Sequence, residues 1–210
     1  WNPVTAERMN IALQDNGQTS AADLHLEANE SAFIVFSNEQ ETELTDYSSA
    51  ERETLLTIDT PWKVDFQKGM RGPDETYVMT ELQTWDKNED ERIRYFSGTA
   101  TYTNTFKLKK QPEQPVWIDL GRVMVMARVY VNNQYAGGVW TSPYRLNIQH
   151  LLHKGTNTLR VEVVNNWQNR LIGDQKLPEN ERPTWTSVNP WRADSPLQES
   201  GLVGPVRLLQ

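Results

Sequence analysis

Cysteine is absent from this sequence, and histidine occurs only three times. The first absence excludes disulfides, thiolate metal sites and a cysteine nucleophile together. The second leaves few metal ligands. His150 and His153 are spaced to share one side of a helical turn, but no Asp or Glu stands beside them in sequence, so no metal site is expected. Long apolar runs are also missing, and no segment reads as a membrane-spanning helix. The start lacks the basic and apolar regions of a signal peptide. Basic charge is scarce, with 21 Lys and Arg against 28 Asp and Glu and a formal net charge of −7. Affinity for phosphate backbones comes from clustered Lys and Arg, so neither nucleic acid nor a membrane is an expected partner. No G-x-S-x-G elbow, Gly-rich phosphate loop, H-E-x-x-H or EF-hand pattern appears. The carboxylate groups Glu41/Glu43, Asp74/Glu75 and Glu89–Glu91 fall in polar turns, with no apolar surroundings to raise a pKa. No catalytic residue is expected in this chain.

Aromatic rings are what the sequence has in quantity. Hydrophobic residues make up only 37%, but eight Trp, seven Tyr and five Phe concentrate apolar area in a few large side chains. With 210 residues the chain holds one large or two small domains and can bury a substantial core.

Between Ile93 and Val164 the sequence reads as short extended segments separated by turns. From Ala100, the residues Ala100, Tyr102, Phe106 and Leu108 alternate with Thr101, Thr103, Thr105 and Lys107, broken only by Asn104 on the apolar side. That is the pattern of a half-buried strand. Val116, Ile118 and Leu120 repeat it, as do Val125, Ala127, Val129 and Val131, and then Leu159, Val161 and Val163. The expected fold is all-β, an antiparallel β-sandwich or jelly roll, with a few extra N-terminal strands. Around Met124, Met126 and Tyr130 the second face becomes apolar too. Either loops or the N-terminal segment cover it, or a neighbouring domain packs there.

Residues 1–50 differ in texture and are expected to be the tail of a preceding accessory domain, with the jelly roll over 51–210. Strands are expected near Leu24–Leu26 and Ala32–Phe36, and Ser37–Glu53 reads as a polar connection. Trp62, Val64 and Phe66 point one way on a strand after Pro61. Tyr77 to Trp85 reads as a strand or a short helix, leading into a charged loop, DKNEDER. Ile148–Gly155 reads as a turn of helix with a glycine stop. The stretch from Leu177 to Ser200, with four prolines and two Trp, is long enough to be functional or to pack its own side chains. LVGPVRLLQ is expected to close the sandwich as a final strand.

Trp85, Trp140, Trp167, Trp185 and Trp191 stand at or beside turns. Flat rings presented from loops suit sugars, whose C–H faces stack on them while hydroxyls bond nearby Asn, Asp or Arg. The other reading is that such Trp cap the sandwich core. The segment NNWQNRLIGD, with Trp167, Arg170 and Asp174, offers that mixture of planar and polar groups. The candidate carbohydrate-binding set is Trp140, Tyr144, Trp167, Arg170, Asp174 and Trp191.

Several motifs resemble the sugar-binding, galactose-binding-like jelly roll of family 2 glycoside hydrolases. They are WKVDF at Trp62, FSGTATYTNTF at Phe96, WIDLG at Trp117, VYVNN at Val129, WTSPY at Trp140 and GTNTLRVEVVN at Gly155. NRLIGD and the terminal SGLVGPV are similar to the C-terminal portion of family 106 α-L-rhamnosidase-like enzymes. The resemblance implies a non-catalytic module of a larger exported bacterial enzyme, periplasmic or extracellular, that degrades plant polysaccharide. It implies rhamnose-containing glycans as the carbohydrate, with the catalytic carboxylates on an upstream (β/α) barrel that this chain is too short to contain. Such jelly rolls sometimes hold a structural calcium, though no compact acidic loop here calls for one and no cofactor is expected. Two alternatives stand beside this reading: a purely structural interdomain module, and a free-standing lectin-like domain.

Overall fold

Alternation with period two becomes a sheet only where a neighbouring strand takes the hydrogen bonds, and the long strands here find such neighbours. The computed structural model describes residues 1–37, 44, 46–47 and 52–210. The chain divides into two units, Trp1–Glu53 and Thr54–Gln210. In the first lie β1 (Leu13–Asp15) and β2 (Ser20–Ala22). The second begins with β3 (Thr54–Thr57), β4 (Trp62–Phe66), β5 (Tyr77–Met79) and β6 (Thr99–Leu108). It continues with β7 (Trp117–Asp119), β8 (Arg122–Met124), β9 (Met126–Val131) and β10 (Gln134–Val139). Last come β11 (Arg145–Asn147), β12 (Gly155–Val164), β13 (Gly201–Gly204) and β14 (Arg207–Leu209). Two short helices accompany them, α1 (Glu91–Arg94) and α2 (Gln168–Asp174).

In the first unit, β1 and β2 pair across a turn that its own side chains hold. Asp15 Oδ1 accepts from the Gly17 amide, and Asn16 Oδ1 accepts from Gln18 and Thr19. Gly17 takes φ of 85°, a conformation that disfavours other residues. The strands expected at Leu24–Leu26 and Ala32–Phe36 are not ladder strands, because no described neighbour runs alongside them. Among the described residues Phe33 alone of these exchanges main-chain bonds, with Trp1, at 2.8 and 2.9 Å. Most of the Ser37–Glu53 connection lies outside the described residues.

In the second unit, six strands pair antiparallel in the order β10-β9-β12-β6-β4-β5, and four in the order β11-β7-β14-β3. β13 pairs with β8. This is the expected all-β sandwich. β6 and β12 lie in unbroken register from Thr99↔Val164 to Leu108↔Gly155. Ala100, Tyr102, Leu159, Val161 and Val163 are therefore completely buried between the sheets, and the threonines of β6 face outward. At roughly 25 cal/mol per Å² of apolar area removed from water, such a two-sided interior is the main source of stability. The aromatic rings knit it together edge to face: Phe66–Phe96 at 4.8 Å, Phe96–Trp85 at 5.5 Å and Trp62–Tyr102 at 6.3 Å between centroids.

The VNN motif makes the β9–β10 hairpin. Asn132 and Asn133 take φ of 51° and 64°, the two left-handed residues of a tight hairpin turn. Asn132 then binds Leu151 O, Asn157 Oδ1 and the Thr158 amide, tying the turn to the start of β12.

Three further expectations are corrected. The charged stretch DKNEDER is not loop throughout: its last two residues begin α1, which Asp90 caps by accepting from the Arg92 amide at 2.8 Å. LVGPVRLLQ is two strands, because proline cannot donate to a ladder: β13 serves β8, and β14 enters the four-stranded sheet. Val125, expected inward, is half exposed, since it is the single residue joining β8 to β9 and those strands pair with different partners.

Candidate functional site

The outer face of the six-stranded sheet is built from rows that cross the strands. One row runs Gly138, Arg128, Glu162, Thr101, Asp65, and its neighbour runs Tyr135, Tyr130, Arg160, Thr103, Lys63. Residues directly opposite in antiparallel strands lie ~5 Å apart on one face, so each row is a line of neighbouring positions. Next to the first row lie Met126 and Val164.

At the free edge, β9 and β10 lose register between Tyr135 and Gly137, leaving Ala136 as an extra residue. Such a bulge re-aims the strand. Two glycines follow it and face opposite ways. A Cβ at Gly137 would meet Leu146 at 3.0 Å, on the inner side. A Cβ at Gly138 would meet only the Tyr135 hydroxyl at 3.4 Å and Ala127 O at 3.7 Å. Gly138 is therefore a flat floor on the outside, between Tyr135 and Trp140. Those two rings, with Met126, Arg128, Glu162 and Val164, line an open groove of about 410 Å³. Trp140 is 62% exposed, Tyr135 58% and Met126 47%. Within the second unit no described loop covers the apolar stretch at Met126.

The polar wall of the groove is held by a chain of contacts. Tyr135 packs on Tyr130 at 5.3 Å between centroids, and the Arg160 guanidinium lies 3.6 Å above Tyr130. Arg160 also pairs with Glu162, and Arg128 Nε stands 3.6 Å from Glu162 Oε2. Planar guanidinium and carboxylate groups next to exposed rings offer donors and acceptors to a ligand that is apolar on its face and polar at its rim.

Of the six candidate sugar residues, Trp140 alone lines this groove. Tyr144 packs half-buried against the core, and its carbonyl accepts from Leu120. Trp167 is 61% exposed at the start of α2. Trp191 is half-buried in the long loop. Arg170 donates to Met70 O at 2.9 Å. Burial, and after it the neighbouring Arg71 charge, lowers the Arg170 pKa, while Asp174 opposes them. Asp174 is buried, accepts from the Thr184 amide at 3.0 Å and faces Arg71 at 3.6 Å. Trp85, also read as a turn residue open to sugar, is wholly buried in the core.

The NNWQNRLIGD motif has a structural use. Asn165 joins Phe96 O to the Gly98 amide. Asn169 donates to Gln198 O at 2.7 Å and accepts from the Gln198 amide at 2.8 Å. With Asp174 on Thr184, these side chains fasten the long loop at several points. Sequence reading missed Arg128, Tyr135, Gly138 and Glu162. Their outward places in the alternation were legible, but not their cross-strand neighbours. The residues present do not assemble a calcium cage, since no three Asp, Glu or His side chains converge among the described residues.

The sandwich and the grooved outer sheet together define a galactose-binding-like β-domain of the kind built into glycoside hydrolases. Residues 77–196 match the model of the glycosyl hydrolase 2 galactose-binding domain-like family, and the chain belongs to that family. A rhamnosidase from Novosphingobium sp. PP1Y superposes with a TM-score of 0.83 and 38% identity, over 95% of this chain and 19% of its own. A putative beta-glucuronidase from Formosa agariphila is 36% identical over 154 residues, covering 61% of this chain and 13% of that protein. The Ruminococcus gnavus beta-glucuronidase shares the fold, with a TM-score of 0.53 at 19% identity over 80% of this chain and 29% of its own. The chain thus spans less than a fifth of the first two relatives.

Proposed function

We propose that this chain is a non-catalytic module of a larger exported glycoside hydrolase acting on rhamnose-bearing plant polysaccharide. Its outer-sheet groove holds a sugar residue of the substrate while an upstream barrel domain performs the cleavage. The observation that carries the reading is the groove itself, with Trp140 and Tyr135 exposed on either side of a glycine floor and the Arg128–Glu162 pair beside them. The similarity to a rhamnosidase five times as long supports the larger parent. The first unit leaves Phe33, Val35 and Phe36 exposed, as the end of a divided accessory domain would.

The test is calorimetric titration of the chain with rhamnose-containing oligosaccharides, alongside reducing-sugar release. Binding without release is expected. Trp140→Ala should weaken binding about tenfold or more, the usual cost of truncating an aromatic anchor. Gly138→Val should abolish binding without loss of folding, because its Cβ meets only ordinary contacts while its methyls fill the groove. Binding that survives both substitutions would refute the groove.

A second reading has its own observation. Val125 and Met126 leave an apolar stretch exposed near Trp140, which suits a surface that packs on a neighbouring domain. A flat titration, with Trp140 protected from oxidation in the full-length parent, would favour that interface.

A further inference from the structure

The chain carries a net charge of −7, yet the sheet face around the groove is positive. Beside the groove Glu162 stands alone between Arg128 and Arg160. Farther along the rows, Lys63 lies opposite Thr103, Asp65 opposite Thr101 and Lys107 opposite Thr156. Asp65 already accepts from the Thr76 hydroxyl at 2.6 Å. Arg128, Arg160, Lys63 and Lys107 thus outnumber Glu162 and Asp65 on this face.

The two guanidiniums by the groove are placed differently. Arg160 is committed, stacked on Tyr130 and paired with Glu162. Arg128 approaches the same carboxylate through Nε, at 3.6 Å, beyond hydrogen-bond reach. Among the described residues its terminal nitrogens meet no hydrogen-bond acceptor, although a guanidinium presents a planar fork of donors that fits a carboxylate with two parallel bonds. The fork borders the groove, across the floor from Trp140.

We propose that the groove selects an anionic sugar, a uronic acid residue whose carboxylate pairs with the Nη1 and Nη2 edge of Arg128 while its ring stacks on Trp140. The inference rests on the groove being a carbohydrate site and adds the class of sugar it takes.

The test compares two ligands that differ only at the carboxyl group: a tetrasaccharide alternating rhamnose with uronic acid, and the same oligosaccharide after reduction of each carboxyl to a neutral hydroxymethyl group. Both are titrated calorimetrically into the folded chain. The uronate form is expected to bind about tenfold more tightly, as suits one charge-assisted bidentate contact, and its advantage should shrink as salt rises. Arg128→Gln should bring the ratio of the two affinities close to one, and Arg128→Lys should retain part of it. Thermal melts would show that each variant is folded. Equal binding of the two ligands, or a ratio unchanged in folded Arg128→Gln, would overturn the preference while leaving the groove intact. Binding of neither ligand would overturn the groove and the preference with it.

Discussion

Replacing Asn169 with Ala separates two roles for the NNWQNRLIGD motif, loop clamp and sugar contact. Asn169 is 1% exposed, and its side chain makes two short bonds to the Gln198 main chain, at 2.7 and 2.8 Å, and a longer one to Ser200 Oγ at 3.4 Å. Each such bond contributes ~1 kcal/mol net, and a buried group left without its partner costs more. Gln198 itself is exposed, so water can reach part of what the substitution frees. The sum is about 2–3 kcal/mol. For a domain of this size 1 kcal/mol moves the melting temperature by roughly 2–4 °C, so a fall of about 4–12 °C is expected. The damage should be concentrated in the loop, where limited trypsin digestion should cut after Arg192 well before the wild-type loop is touched, Arg182 being shielded by the proline that follows it. Circular-dichroism melts and a timed digest measure the two effects. If Asn169→Ala melted and digested like the wild type yet lost oligosaccharide binding, the clamp would be wrong and Asn169 would be a ligand group.

Two further outcomes follow from the core and the surface. Tyr102 is fully buried, with its oxygen accepting from Trp85 Nε1 at 2.6 Å and from the Leu202 amide at 3.2 Å. Burial pushes the phenol pKa up. Tyr102→Phe strands both donors and should cost about 2–4 kcal/mol, seen as a melting temperature lowered by more than ~4 °C; an unchanged melt would contradict the satisfied-core account. Asp90 caps α1 and meets Arg92, whose side-chain hydrogen bond holds the Asp90 carboxyl below the usual carboxylate range. A carboxyl whose pKa is lower folded than unfolded adds stability above its unfolded value of about 4, and that stability is lost as pH falls through the folded one. Asparagine caps a helix equally well, so the gap in melting temperature between wild type and Asp90→Asn should be full at neutral pH and close on acidification. A gap constant from pH 7 to pH 3 would rule out the charge as its source.

The sheet face shows where sequence reading stopped. Alternation placed Arg128, Tyr130, Arg160 and Glu162 outward, but which of them touch depends on registers set by hairpins and long pairings. A bulge at Ala136 shifts Gly138 and Trp140 relative to β9; the glycine pair in YAGGVW permits such a bulge but does not say which side chains it brings together. The six candidate sugar residues were chosen by side-chain chemistry along the chain. The fold sent Tyr144 to the core and Asp174 to the loop clamp, since a buried polar group must find a partner and the loop main chain was nearest.

By itself the sequence determined the sandwich, its inward residues other than Val125, the absence of thiol chemistry and the likeness to glycoside-hydrolase jelly rolls. These follow from local period, composition and turn residues, which act over a few positions. The tertiary structure alone decided that Trp85 is core while Trp140 borders a groove, and that Arg128 and Glu162 face each other across two strands. Those facts arise from contacts between residues dozens of positions apart, which only the closed sheet brings together.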